Sequence, residues 1–180
     1  MPPRNKRSRA STAPKSPRAP AKPFFGKAYF YLGLILLAAF AIQQISHSRW
    51  PWLTALQADD SYKQLSGFAL VFYLAHQWHC SVLRNRGLML AAGNILSRHK
   101  LLGAMAPLFF YAHAQTIGFA YLLALSLAYF GIFLTGLFNY EISRIKKHWF
   151  RPAWITLHVG LSTGLLFLLS YHVYISYAYQ

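Results

Sequence analysis

Between residues 24 and 176 the sequence turns apolar five times for the length of a membrane crossing, over 24–46, 65–84, 98–117, 118–140 and 153–176. A helix needs about 20 apolar residues to cross about 30 Å of hydrocarbon, and a backbone in lipid must satisfy its own polar groups, so such windows predict helices. The expected fold class is all-α, a polytopic transmembrane helical bundle of about five spans. The third and fourth windows run together, and Gln115-Thr116-Ile117-Gly118 is the expected turn between them because polar side chains and a glycine interrupt the apolar run there. Residues 88–97, LMLAAGNILS, are too short to cross and are expected at the interface. The composition agrees: 56% of the 180 residues are hydrophobic and only 12% are charged, against about 25% charged in soluble domains.

Charge then supplies an orientation. Eighteen Lys and Arg face three Asp and Glu, a formal net charge of +15. Residues 1–23, MPPRNKRSRASTAPKSPRAPAKP, hold no acid and no apolar run. They are expected to form a disordered basic cytoplasmic tail, drawn to anionic lipid and not to nucleic acid, since no aromatic side chain interleaves the charges. Residues 24–180 are expected to form one transmembrane helical domain. Eight basic residues precede or open the first window, two (Arg49, Lys63) follow it, four (Arg84, Arg86, Arg98, Lys100) follow the second, none follow the third, and four (Arg144, Lys146, Lys147, Arg151) follow the fourth. Alternate connectors thus carry sixteen and two, which by the positive-inside rule puts the N-terminus in the cytoplasm and the C-terminus outside. Trp50 and Trp52 would mark the outer interface, Trp149 and Trp154 the inner one. The expected location is a membrane, of the bacterial inner-membrane kind.

The same counts exclude chemistry. Asp59, Asp60 and Glu141 are the only carboxylates, too few and too scattered for a paired-carboxylate hydrolase or a carboxylate-bridged metal site. One cysteine, Cys80, rules out an intramolecular disulfide, an iron–sulfur cluster and covalent Cys-X-X-Cys-His haem attachment; its simplest role is as a small packing residue.

Eight histidines remain. His99 and His113 stand fourteen residues apart, and so do His158 and His172. Fourteen residues of α-helix make about 3.9 turns and about 21 Å, so each pair shares a helix face with one imidazole near each membrane surface. The third and fifth windows run in the same direction, which sets His99 level with His158 and His113 level with His172. That is the arrangement for two haems, each clamped between imidazoles of two helices, and the four histidines are the expected metal ligands. Gly103, Ala106 and Phe110, with Gly160, Ser162 and Gly164, are expected to leave room between the helices, and Pro107 to kink the third. Arg98, Lys100 and Arg151 are placed to meet the propionates of the inner haem, and Arg49 or Lys63 those of the outer one. His76 and His79, in YLAHQWHC, lie on one side of the second window, where His79 would meet a propionate, a quinone or another helix. His47 and His148 are expected to be solvated.

The segments RHKLLGAMAPLFFYAHA and WITLHVGLSTGLLFLLSYH, with ligand pairs on the third and fifth helices, resemble the ferric reductase-like transmembrane domain family of ferric reductases and NADPH oxidases, over about residues 60–176. Cytochrome b of the quinol-oxidising complexes has a similar ligand spacing. The resemblance implies an inner b-type haem on His99 and His158 and an outer one on His113 and His172. Members of the family usually have six spans, and the larger ones continue into a flavin and nicotinamide domain. This chain has five apolar windows and no Gly-rich nucleotide loop, so no flavin or nicotinamide site is expected in it. The expected function is electron transfer across the membrane as the electron-transfer subunit of an oxidoreductase, with a separate flavoprotein, quinol or redox carrier as donor and an acceptor at the outer face. The competing class is a membrane protein that transports or assembles haem or metal ions with the same histidines.

Overall fold

The computed structural model describes residues 24–178, so the basic tail expected over 1–23 lies outside the described residues. The described chain is all-helical: α1 (Phe24–Ile45), α2 (Pro51–Ala58), α3 (Asp60–Asn85), α4 (Met89–Ala104), α5 (Ala106–His113), α6 (Tyr121–Leu137), α7 (Tyr140–Ser143) and α8 (Phe150–Ala178).

Local chemistry fixes most of these boundaries. Pro51 opens α2, where its missing N–H costs nothing. Asp59 caps α3 by accepting from the Tyr62 backbone N–H at 2.8 Å, and Asp60 adds a negative charge to the first turn. The third window is divided at Met105, between α4 and α5. Pro107 has no N–H to offer the carbonyl four residues back, so the ladder reopens there. Two phenols take up carbonyls at this break: Tyr73 donates to Leu102 O at 3.3 Å and Tyr129 to Ala106 O at 2.9 Å. The interruption is confined to Met105, whose N–H still bonds Leu101 O and whose carbonyl accepts from Phe109 N–H, each at 3.2 Å, while hydroxyls from α3 and α6 bond carbonyls on either side of it. The expected turn after the third window is also present, since no helix covers residues 114–120. Residues 88–97 are not a separate interfacial piece; all but Leu88, the N-cap residue, form the first turns of α4 and run on through His99.

Among the described residues two helices are long and apolar enough to cross a membrane, over Ala28–Ile45 and Phe150–Ala178. The other three windows fall short for visible reasons. Along its 26 residues α3 carries Lys63, Gln64, His76, Gln77, His79 and Arg84; α4 and α5 are 16 and 8 residues long, and α6 is 17.

The core gathers beside the α4–α5 break, from Phe40, Ala106, Phe110, Tyr129, Phe133, Leu137 and Leu165. Phe40 stacks on Phe130 at 4.9 Å and meets Phe110 edge-on at 5.6 Å. Helix α6 packs along α8, α3 along α4, and α1 against α4 and α5. At Gly33 a Cβ would lie 2.7 Å from Leu137 Cδ1, so α1 and α6 are close there and a side chain would make Leu137 shift. Apolar side chains also face outward: only 11% of the α1 span and 6% of the α8 span are buried, and Ile35, Phe72 and Phe167 are exposed.

Candidate functional site

Helices α3, α6 and α8 line two cavities, with α1, α4, Ala106 of α5 and Ile142 of α7 contributing to the first and α2 and α5 to the second. The first, of about 1050 Å³ including its open mouth, holds His99 and His158; the second, of about 1830 Å³, holds His113 and His172. Leu74, Tyr129 and Leu165 line both and form the wall between them. The break between α4 and α5 falls beside this wall, so each half of the interrupted third window carries one histidine into its own cavity.

The rings face one another in the expected pairs. His99 and His158 have centroids 6.4 Å apart and planes at 81°, and His113 and His172 have centroids 6.4 Å apart and planes at 83°. A ligating imidazole nitrogen sits about 2.0 Å from its metal, and the radius of a five-membered ring with bonds of about 1.35 Å is about 1.15 Å. Two imidazoles on opposite sides of one metal therefore have centroids about 6.3 Å apart. Both pairs have that separation.

One histidine of each pair is held from behind by a hydroxyl. Thr135 Oγ1 lies 2.8 Å from His158 Nδ1 and 2.8 Å from Ile132 O. A carbonyl only accepts, so the single hydroxyl proton goes to Ile132 and Oγ1 accepts from Nδ1–H of His158. Ser66 repeats the arrangement, donating to Lys63 O at 3.2 Å and accepting from Nδ1–H of His113 at 3.0 Å. In both rings the lone pair is then on Nε2, the state a metal ligand requires. The next residue is a glycine in each case: a Cβ on Gly67 would lie 3.4 Å from Cε1 of His113, and one on Gly136 would lie 3.4 Å from Cε1 of His158. Trp154 stacks on His158 at 5.4 Å and 10° while its Nε1 donates to Thr135 O at 2.7 Å. By contrast, Nδ1 of His172 is buried without a hydrogen-bond partner among the described residues.

Ser66, Gly67, Thr135 and Gly136 were not among the residues the histidine spacing singled out. Their one signal in the sequence is a repeated hydroxyl-glycine dipeptide, Ser-Gly on α3 and Thr-Gly on α6. The expected space-makers divide differently. Gly103, Ala106 and Ser162 line the first cavity and Phe110 the second, whereas Gly160 and Gly164 are exposed and line neither. A glycine on the outward side of α8 gives no room inward, so that expectation is corrected.

The expected cations are also unevenly placed. Lys100 lines the first cavity and Lys63 the second. Lys63 pairs with Asp60 at 2.9 Å, at the exposed start of α3. Arg98 is exposed and Arg151 sits over the Tyr140 ring at 5.2 Å; neither lines a cavity. His76 and His79 line neither cavity, and His47 and His148 are exposed.

A glutamine cluster closes the end of α5 beside His113. Gln57 donates to the carbonyls of Tyr111 and Ala112 at 2.9 and 3.0 Å, and Tyr62 donates to Ala112 O at 2.8 Å. These are carbonyls that a helix C-terminus leaves without intrahelical partners. Buried Gln115 accepts from Trp50 N and from the Tyr111 hydroxyl, each at 3.0 Å, and donates to Thr54 Oγ1 at 3.0 Å.

The donor set limits the ligand. Among the described residues no group of three or more His, Cys, Asp and Glu could hold a metal ion, and a bare zinc-like ion takes about four ligands. Two facing imidazoles in a largely apolar cavity instead suit a metal that brings its own planar donors, with protein nitrogen above and below. The chain matches no protein-family model, no curated protein and no solved structure.

Proposed function

We propose that this chain is a membrane b-type cytochrome that passes single electrons between the two faces of a membrane, with His99 and His158 as ligands of an inner haem and His113 and His172 as ligands of an outer one. The observation that carries this reading is the ring separation of 6.4 Å in both pairs, the value expected for two imidazoles sharing one metal. A bis-imidazole haem supplies a one-electron couple with both axial positions taken, which favours electron transfer over binding of oxygen.

The protein's own residues complete the task. Thr135 and Ser66 hold two ligands in the Nε2-basic form. Leu74, Tyr129 and Leu165 stand between the two sites, and the Tyr129 hydroxyl donates to Ala106 O. Lys100 at the inner cavity and Lys63 at the outer one provide the positive charge that propionates need.

The proposed topology has five crossings, made by α1, α3, α4 with α5, α6, and α8, with the N-terminus in the cytoplasm. Little of the α1 and α8 spans is buried within the protein, and a lipid surround, of the bacterial inner-membrane kind, would cover their outward apolar side chains. Within that topology α3 tolerates its polar residues because they lie toward its ends or toward neighbouring helices. The combination resembles that of the ferric reductase-like transmembrane domain family. The proposed donor is a flavoprotein, a quinol or a small carrier on one side, and the proposed acceptor a periplasmic protein or a chelate on the other.

Purified protein from cells supplied with haem is expected to show a reduced b-type α-band and about two haems per chain, and His113→Ala is expected to remove one. A colourless protein would overturn the reading, and so would a full complement of haem in His113→Ala.

A further inference from the structure

The two ligands within each pair are held differently. His158 is held on two sides: Thr135 Oγ1 accepts from its Nδ1–H and Trp154 stacks on its face, and its Cε1 lies 3.4 Å from where a Cβ on Gly136 would be. His113 has the hydroxyl and the glycine, from Ser66 and Gly67. Of their partners, His172 has its Nδ1 buried with no hydrogen-bond partner among the described residues. The pattern is diagonal, because the anchored ring comes from α5 in one cavity and from α8 in the other.

We infer that Ser66 and Thr135 are positioning residues that strengthen one ligand in each site, and that each tunes the redox equilibrium of its own site alone. The inference rests on the cytochrome reading above and deepens it. An acceptor behind Nδ1–H draws the proton toward itself and makes the imidazole a better donor at Nε2. A stronger donor favours the ferric state, so removing the acceptor raises the reduction potential of that site. Ser66 meets the ring of one cavity and Thr135 the ring of the other, so each effect is local to one cavity.

Redox titration of the full chain tests this, because a purely structural role for the hydroxyls would not move one potential selectively. Ser66→Ala is expected to raise one of two titrating components and Thr135→Val the other. The expected shift is on the order of tenfold in the ferric-to-ferrous ratio, or about 59 mV for one electron. Thr135→Ser keeps the hydroxyl and is expected to leave both components in place, which controls for disturbed packing in the valine variant. Unchanged potentials in both variants, or both components moving together in either one, would overturn the inference while leaving the cytochrome reading intact. A colourless chain would sink the cytochrome reading instead, and the hydroxyls are then tested by ¹⁵N shifts of labelled histidine. His113 and His158 are expected to be protonated at Nδ1 and to lose that preference in Ser66→Ala and Thr135→Val respectively; mixed tautomers in the unsubstituted chain would overturn the assignment.

Discussion

Gly136 stands next to the hydroxyl that holds His158 and faces the ring's Cε1 edge. A methyl group there would touch Cε1 at 3.4 Å, a contact the ring can accept with little movement. A branched side chain cannot be accommodated without displacing the imidazole. Gly136→Ala is therefore expected to keep both haems, whereas Gly136→Leu is expected to lose the inner haem and keep the outer one, read by haem content per chain and by whether one titrating component survives. At this scale the sequence carried the histidines plainly, because fourteen-residue spacing on a helix is a repeated geometric statement. It carried the supporting residues poorly. Ser66 and Thr135 act across helix boundaries, 47 and 23 residues from the rings they touch, and nothing in a linear reading pairs a hydroxyl on α3 with a histidine ending α5.

Among the elements, the interrupted third window does the most to place the site. The break at Met105 separates α4 from α5, and the Tyr73 and Tyr129 hydroxyls bond carbonyls on either side of it. The far end of α5 depends on α2 and its N-cap, Trp50. The buried Gln115 side chain bonds Trp50, Thr54 and Tyr111, and its backbone N–H bonds Gln57. Gln115→Ala removes the three side-chain bonds, at a cost of roughly 1–3 kcal/mol. The expected outcome is a lower Tm with the loss concentrated on the outer haem, since His113 ends the helix that Gln115 ties down, and with the inner haem retained. Pro107 and the polar turn at 115–118 foretold both interruptions of the long apolar run, for the local reasons that proline has no N–H and that polar side chains leave an apolar helix. What the sequence did not carry was that α4 begins at Met89, well before the apolar window. Hydropathy reports preference for lipid, whereas the helix continues through polar residues as long as its hydrogen-bond ladder does.

For the whole molecule, the basic residues and the apolar windows make a single prediction about orientation. Single cysteines placed at Lys146 or Lys147 in a Cys80→Ser background are expected to react with an impermeant thiol reagent only from the cytoplasmic side, and one placed at Gln57 only from the outer side. Reaction of both from the same side would break the proposed topology. The sequence by itself determined the helical class, the basic connectors and the equal spacing of the two histidine pairs, because each depends on composition or on the fixed rise and turn of one helix. Only the tertiary structure decided that the pairs face each other at 6.4 Å in two cavities, that Leu74, Tyr129 and Leu165 part those cavities, and that Ser66 and Thr135 stand behind one ring in each. Those facts depend on how helices distant in sequence lie against one another, and that is set by packing at Gly33, Gly67 and Gly136 and around the α4–α5 break, not by the periodicity of any one segment.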